Sequence, residues 1–213
     1  MRTTIARLTG VAVVLFCGAV SLTPWAMAGE PMEVIRTSTN QVLDVLKDPQ
    51  YSDRPEAREQ RIWDIARPRF DWEEMAQRSL AVHWRERTPG EKKEFVELFS
   101  RLLHKSYIGK ITQYKDEKIE YVGEEIKGPR AEVKTKILSK GLEIPVEYRL
   151  LQRSSGWLIY DVIIEGVSLV NNYRNQFNRI VVSSGYKDLV QRMRNKWDEL
   201  LKEEADKSKK ARS

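Results

Sequence analysis

Between Lys118 and Val167 the apolar residues recur at every second position, and on either side of that stretch they recur at helical spacing. This double switch of period constrains the fold more than any other feature, because a helical pattern does not sit as a strand, nor the reverse. Four strands are predicted, Lys118–Ile126, Arg130–Ser139, Glu143–Arg153 and Trp157–Val167, joined by turns that contain glycine. A two-residue loop at Lys140-Gly141 pairs Ser139 with Leu142. Counting back sets Lys134 opposite Glu147, Glu132 opposite Arg149, Val133 opposite Tyr148 and Ile137 opposite Ile144. Opposite charges meet and apolar residues meet, so the register is self-consistent. The next turn is expected to use three residues, Ser154-Ser155-Gly156 with Gly156 left-handed. That pairs Arg149 with Asp161, Tyr148 with Val162 and Val146 with Ile164. A two-residue loop would turn Asp161 and Glu165 inward, where each would need a buried partner.

One sheet face then carries Ile119, Tyr121, Val133, Ile137, Ile144, Val146, Tyr148, Leu150, Leu158, Tyr160, Val162 and Ile164. Trp157, Ile159 and Ile163 fall on the other face, beside Lys134, Glu147, Arg149 and Asp161. Three large apolar side chains there need a covering helix or a partner.

The helical segments carry their own start signals. Pro31–Leu46 has Val34, Ser38, Val42, Val45 and Leu46 on one side. Asp53-Arg54-Pro55-Glu56 reads as a cap opening a helix to about Arg67, and Asp71-Trp72-Glu73-Glu74 as a capping box opening one to about Ala81. Thr88-Pro89-Gly90-Glu91 is the clearest signal: a capping Thr, Pro at the first helical position and Glu at the third. The helix that follows carries Phe95, Leu98, Phe99, Leu102, Leu103, Tyr107 and Ile111 to about Tyr114, and its length predicts packing along the sheet. Ser168 caps a helix with Val170, Tyr173, Phe177, Ile180 and Val181 on one face, and Gly185 ends it. A last helix runs from Tyr186 to about Glu203. Helices, antiparallel strands and helices again define an α+β class, a curved four-stranded sheet covered by helices on one face.

The N-terminus reads as a secretory signal: Arg2 and Arg7, an apolar run from Leu8 to Leu22, and a small-x-small site at Ala26-Met27-Ala28. The apolar run is short of the about 20 residues of a bilayer span. Removing 28 of 213 residues leaves 185, one domain's worth, spanning 29–203 with a disordered charged tail over 204–213. The single cysteine, Cys17, leaves with the signal, so disulfides and thiolate metal sites are excluded from the exported form. Without Arg2 and Arg7 there are 35 basic and 31 acidic residues, a net charge of +4. The charges alternate along the helices, the mark of a solvated face rather than a nucleic-acid footprint. Anionic lipid surfaces are the expected acidic partner.

No catalytic motif emerges. His83 and His104 lack metal-ligand spacing and read as exposed or helix-capping residues; there is no phosphate loop and no nucleophile elbow. Asp161 and Glu165 could serve as an acid–base pair only on one cavity, and the expected register turns both outward, with Asp161 near Arg149 as a structural ion pair.

The stretch GWLIYDVIIEGVSLVNNYRNQF, Gly156–Phe177, closely resembles the MlaC (toluene-tolerance) family of periplasmic phospholipid-binding proteins. Upstream, Phe70-Asp71, Met75-Ala76, Leu80-Ala81, Trp84, Thr88-Pro89 and Phe95 follow the family's run of helices, and the resemblance spans Val34 to Val190. Periodicity alone leaves a filled core and a hollow one equally open. The resemblance implies a nuclear-transport-factor-two-like fold with a cavity for phospholipid tails between sheet and helices. Its lining is expected from Phe95, Phe99, Leu102, Leu103 and Tyr107, from Tyr121, Val133, Ile137, Val146, Tyr148, Tyr160, Val162 and Ile164, and from Val170, Tyr173 and Phe177. It implies a monomeric periplasmic carrier with phospholipid as cargo and no cofactor, metal or catalytic residue. Its implied partners are an inner-membrane ABC transporter with an MCE-type subunit and an outer-membrane lipoprotein–porin complex. Two alternatives stay open: an enzyme on the same scaffold, such as a small isomerase or hydrolase using Asp161 or Tyr160, and a basic envelope-binding module with a solid core.

Overall fold

A computed structural model of the chain describes residues 30–112, 117–139 and 141–212. The expected signal segment, its cleavage site and Cys17 lie outside the described residues. Six α-helices and five strands follow in order: α1 Pro31–Lys47, α2 Pro55–Ala66, α3 Trp72–Leu80, α4 Pro89–Ile111, β1 Lys118–Lys127, β2 Arg130–Ser139, β3 Leu142–Arg153, β4 Gly156–Ile164, β5 Val167–Ser168, α5 Leu169–Ser184 and α6 Tyr186–Arg212.

The start signals mostly act as their chemistry dictates. At α4, Thr88 accepts from the Glu91 backbone N–H while the Glu91 carboxylate accepts from the Thr88 N–H. Asp71 caps α3 by accepting from the Glu74 N–H, and Ser168 caps α5 by accepting from the Asn171 N–H. Gly185, at φ +84°, closes α5. The exception is α2, where Arg54 occupies the cap position and no side chain caps the helix, so Asp53 plays no such part. The helix α6 runs to Arg212, so the stretch 204–212, expected to be disordered, is helical.

The strands form one antiparallel sheet in the order β1-β2-β3-β4-β5. The β2–β3 register is the expected one throughout, from Ser139↔Leu142 to Glu132↔Arg149. The β3–β4 register agrees only beyond the bulge: Arg149↔Asp161, Tyr148↔Val162 and Val146↔Ile164 hold, but the turn has two residues, with Arg153↔Gly156 and Leu150↔Ile159. Tyr160 is the extra residue of a bulge that absorbs the difference. A one-residue shift exchanges the faces of a strand. Trp157 and Ile159 therefore join Leu150 on the apolar face instead of lying opposite it. The cover that these side chains need is supplied within the molecule: Trp157, Ile159 and Ile163 are 6%, 3% and 6% exposed. The Asp71 N–H donates to the Ile159 carbonyl at 2.8 Å, sealing that strand edge against the start of α3.

Three apolar clusters hold the molecule. Helix α1 lays Ile35 against Val133, Val146, Leu150, Trp157, Ile159 and Val162 on the apolar sheet face. Helices α3, α4, α5 and α6 share a second core around Phe95, Phe99, Phe177 and Leu189. Val45, Ile62, Ile65 and Ile108 join α1 and α2 to the end of α4. The long helix α4 thus packs among helices, not along the sheet as its length implied; α3 and α5 are the elements that meet β4. Helices consequently stand on both faces of the sheet near β4, where one covered face was expected.

Candidate functional site

Asp161 organises the run Asp161–Leu169 in physical terms. The β4 bulge turns its side chain to the face where α5 begins. There it is 4% exposed. One carboxylate oxygen accepts from the Val170 backbone N–H at 3.1 Å and the other from the Ser168 hydroxyl at 2.7 Å. The Arg149 guanidinium lies 3.7 Å away. The carboxylate thus satisfies a buried amide at the N-terminus of α5 and orients the capping serine. Glu165, at φ +50° in the following turn, is exposed and faces no common cavity with Asp161. The ion pair with Arg149 is present as expected, but Asp161 is buried rather than outward, and its capping role was not legible from strand alternation.

The expected lipid-facing residues separate into two groups. Phe95, Phe99, Leu102, Leu103, Val170 and Phe177 are buried in the helical core, with Tyr107, Tyr160 and Tyr173 half-buried around them. Phe99 meets Tyr173 and Phe177 edge-on, at centroid distances of 5.4 and 5.9 Å. Val133, Val146 and Val162 are buried in the sheet core, with Tyr121, Ile137, Tyr148 and Ile164 half-buried beside them. Phe70 packs against both groups, and α5 carries Leu169 on the sheet core and Val170 in the helical one. Ile35, which the Val34–Ser38 stripe leaves off the inner side, centres α1 on the sheet, with Val34 partly buried beside it.

Tyr107, Tyr121, Tyr148 and Tyr173 are uncharged at neutral pH. Burial, with Tyr121 close by, pushes Tyr148 up to about 12, and burial with Tyr107 nearby does the same for Tyr173. Burial also raises Tyr107 and Tyr121. Each presents an apolar ring with a neutral polar tip.

Neither histidine is the exposed or capping residue expected. His104 stacks on Trp63 at 4.2 Å, and burial, reinforced by the Lys105 ammonium, pulls it down to about 4. His83 pairs with the Asn178 side chain at 2.9 Å. Among the described residues no group of three or more His, Cys, Asp or Glu side chains is arranged to hold a metal ion, and no helix is long and apolar enough to cross a membrane. Two depressions, of about 730 and 330 Å³, lie along the outer side of α4, and none of the expected lipid-facing residues lines either.

The family model described as MlaC protein matches residues 36–195, most of the chain. The chain belongs to the MlaC protein family. It is 28% identical over 155 residues to the toluene tolerance protein ttg2D of Pseudomonas putida, covering 70% of this chain and 72% of that one. Among solved structures it matches the phospholipid-binding protein of Ralstonia solanacearum, determined in complex with a phospholipid, with a TM-score of 0.74 at 23% identity over 80% of this chain and 98% of that chain. The open antiparallel sheet with its helices is thus the fold of that neighbour.

Proposed function

We propose that this MlaC-family chain is a soluble periplasmic phospholipid carrier. In this reading it shuttles lipid between an outer-membrane lipoprotein–porin complex and an inner-membrane ABC transporter with an MCE-type subunit, and so maintains outer-membrane lipid asymmetry. The observation that carries the reading is the near full-length fold match to a relative that holds a phospholipid. The toluene-tolerance relative agrees with a role in envelope lipid order.

The energetics suit a carrier. Each methylene removed from water is worth about 0.8 kcal/mol, so two ordinary acyl tails would cost on the order of 20 kcal/mol to expose. Affinity cannot recover all of that, because non-covalent binding saturates near that value and ordering costs subtract from it. A carrier needs only to shield the tails. We assign that contact first to the half-buried residues Tyr107, Tyr121, Ile137, Tyr148, Ile164 and Tyr173, which retain surface to lose. Phe95 and Val133, at 0% exposure, reach lipid only if the two cores part. No reaction is assigned: Asp161 is committed to capping α5, and Glu165 faces solvent.

Mass spectrometry of lipid extracted from the natively purified protein tests the reading. Intact phospholipid near one molecule per chain is expected; protein free of lipid, or lipid steadily hydrolysed in its presence, overturns it. Val162→Trp adds bulk at the sheet core and is expected to lower lipid occupancy in a folded variant.

A further inference from the structure

The larger depression is a groove of about 730 Å³ between the outer side of α4, α2 and the start of α3. Trp63, Trp72 and Trp84 wall it. Trp63 and Trp72 lie 5.4 Å apart, and Trp72 is held by an indole N–H donated to the Arg67 carbonyl at 2.9 Å. The Lys92 ammonium stands 5.4 Å from the Trp84 ring. The remaining charges on the rim are Arg67, Lys93, Arg101, Glu73 and Glu97. Arg101 is neutralised by Glu97 at 2.6 Å. Among the described residues Arg67, Lys92 and Lys93 form no ion pair, and Glu73 is the single carboxylate left to oppose them. The rim therefore carries a local excess of positive charge, on a chain that is itself net positive.

The half-buried indoles of Trp63 and Trp72, beside cations without an ion-pair partner, are the chemistry of a membrane–water interface. Tryptophan settles at headgroup depth, and lysine or arginine is drawn to anionic headgroups while its stem lies on apolar surface. The walls are helices and helical turns. They offer no strand edge to which an extended acidic peptide could add.

We propose that this groove is the face by which the protein docks on an anionic phospholipid bilayer. Arg67, Lys92 and Lys93 meet headgroup phosphates, and the edges of Trp63 and Trp72 reach the acyl boundary. The docking goes beyond the carrier reading, because it concerns the bilayer surface and not the cargo.

The test is co-sedimentation of the exported protein with large vesicles of phosphatidylglycerol and phosphatidylcholine in equal parts, against vesicles of phosphatidylcholine alone. Binding to the anionic vesicles only is expected, weakening as salt rises. Each basic residue at such a surface contributes about fivefold in partition, so Lys92→Gln with Lys93→Gln should lower binding roughly 25-fold. Both lysines lie in the first turns of α4, where a cation does not favour the helix dipole, so their neutralisation leaves the fold intact. Lys118→Gln with Lys127→Gln makes the same charge change on β1 and should leave binding unchanged. Spin-labelled lipid should quench the wild-type indole emission and not that of the groove variant. Wild-type protein that ignores anionic vesicles overturns the proposal and leaves the groove to an acidic protein segment. A groove variant that binds like wild type, or a β1 variant that loses as much, overturns it too. Lipid carried by the groove variant, read by mass spectrometry, reports on the carrier reading separately.

Discussion

Replacing Asp161 separates a structural carboxylate from a catalytic one. In the wild type its two oxygens hold the Val170 N–H and the Ser168 hydroxyl, at 3.1 and 2.7 Å. Asp161→Ala removes both acceptors at a site closed to water. The Val170 N–H, left buried without a partner, costs about 1–3 kcal/mol. The Ser168 hydroxyl, which still caps the Asn171 N–H, loses its acceptor at about 0.5–1.5 kcal/mol. Together these give a destabilisation of roughly 2–4 kcal/mol, or a fall in Tm on the order of 10 °C for a chain of this size. Asp161→Asn keeps one oxygen for Val170 and should lose about 1–2 kcal/mol. Ser168→Ala removes the acceptor of the Asn171 N–H and the hydroxyl that donates to Asp161, and should cost about 1–2 kcal/mol. Thermal and urea unfolding of the three variants measures the series. An Asp161→Ala protein within about 0.5 kcal/mol of wild type would refute the capping argument and return the residue to the list of candidates for chemistry.

Three further outcomes are expected. Ile159→Asp should abolish soluble, folded protein, because the side chain is 3% exposed and its neighbours are apolar; a cooperative melt from the purified variant would show that the face is open after all. Phe99→Ala should cost about 3–5 kcal/mol in urea unfolding, since it empties the ring cluster shared with Tyr173 and Phe177. His104, held at about 4 in the fold against 6.5 when unfolded, excludes a proton that the unfolded chain accepts. Its contribution is therefore complete above pH 6.5 and is lost as pH falls towards 4; discounted for its partial exposure it amounts to about 1–2 kcal/mol. His104→Gln should flatten that part of the stability–pH curve, and an unchanged slope would show that the ring titrates normally.

Local chemistry was legible wherever the signal is itself local. The Thr88–Glu91 capping box, the Ser168 cap and the Gly185 stop require only neighbours in the chain, and each acts where the sequence places it. The β2–β3 register was legible for the same reason. Its two-residue connection leaves one alignment in which Lys134 meets Glu147 and Val133 meets Tyr148. The β3–β4 turn was misjudged because a three-residue loop and a two-residue loop followed by a bulge give identical pairing beyond Arg149. Only the burial of Trp157 and Ile159 distinguishes them.

The sequence by itself determined the order of elements, their class, the caps and most of the strand pairing, because periodicity and turn chemistry act over a few residues. Only the tertiary structure decided which apolar stripe meets which. Helix α4 displays a face that would suit a sheet, yet it packs against α3, α5 and α6, and α1 takes the apolar sheet face through Ile35. Hydrophobic burial is non-directional, so a stripe specifies that it must be covered and not by what. The same reason split the expected lipid-facing residues between two cores and brought Trp63, Trp72 and Trp84, from three separate helical segments, around one groove.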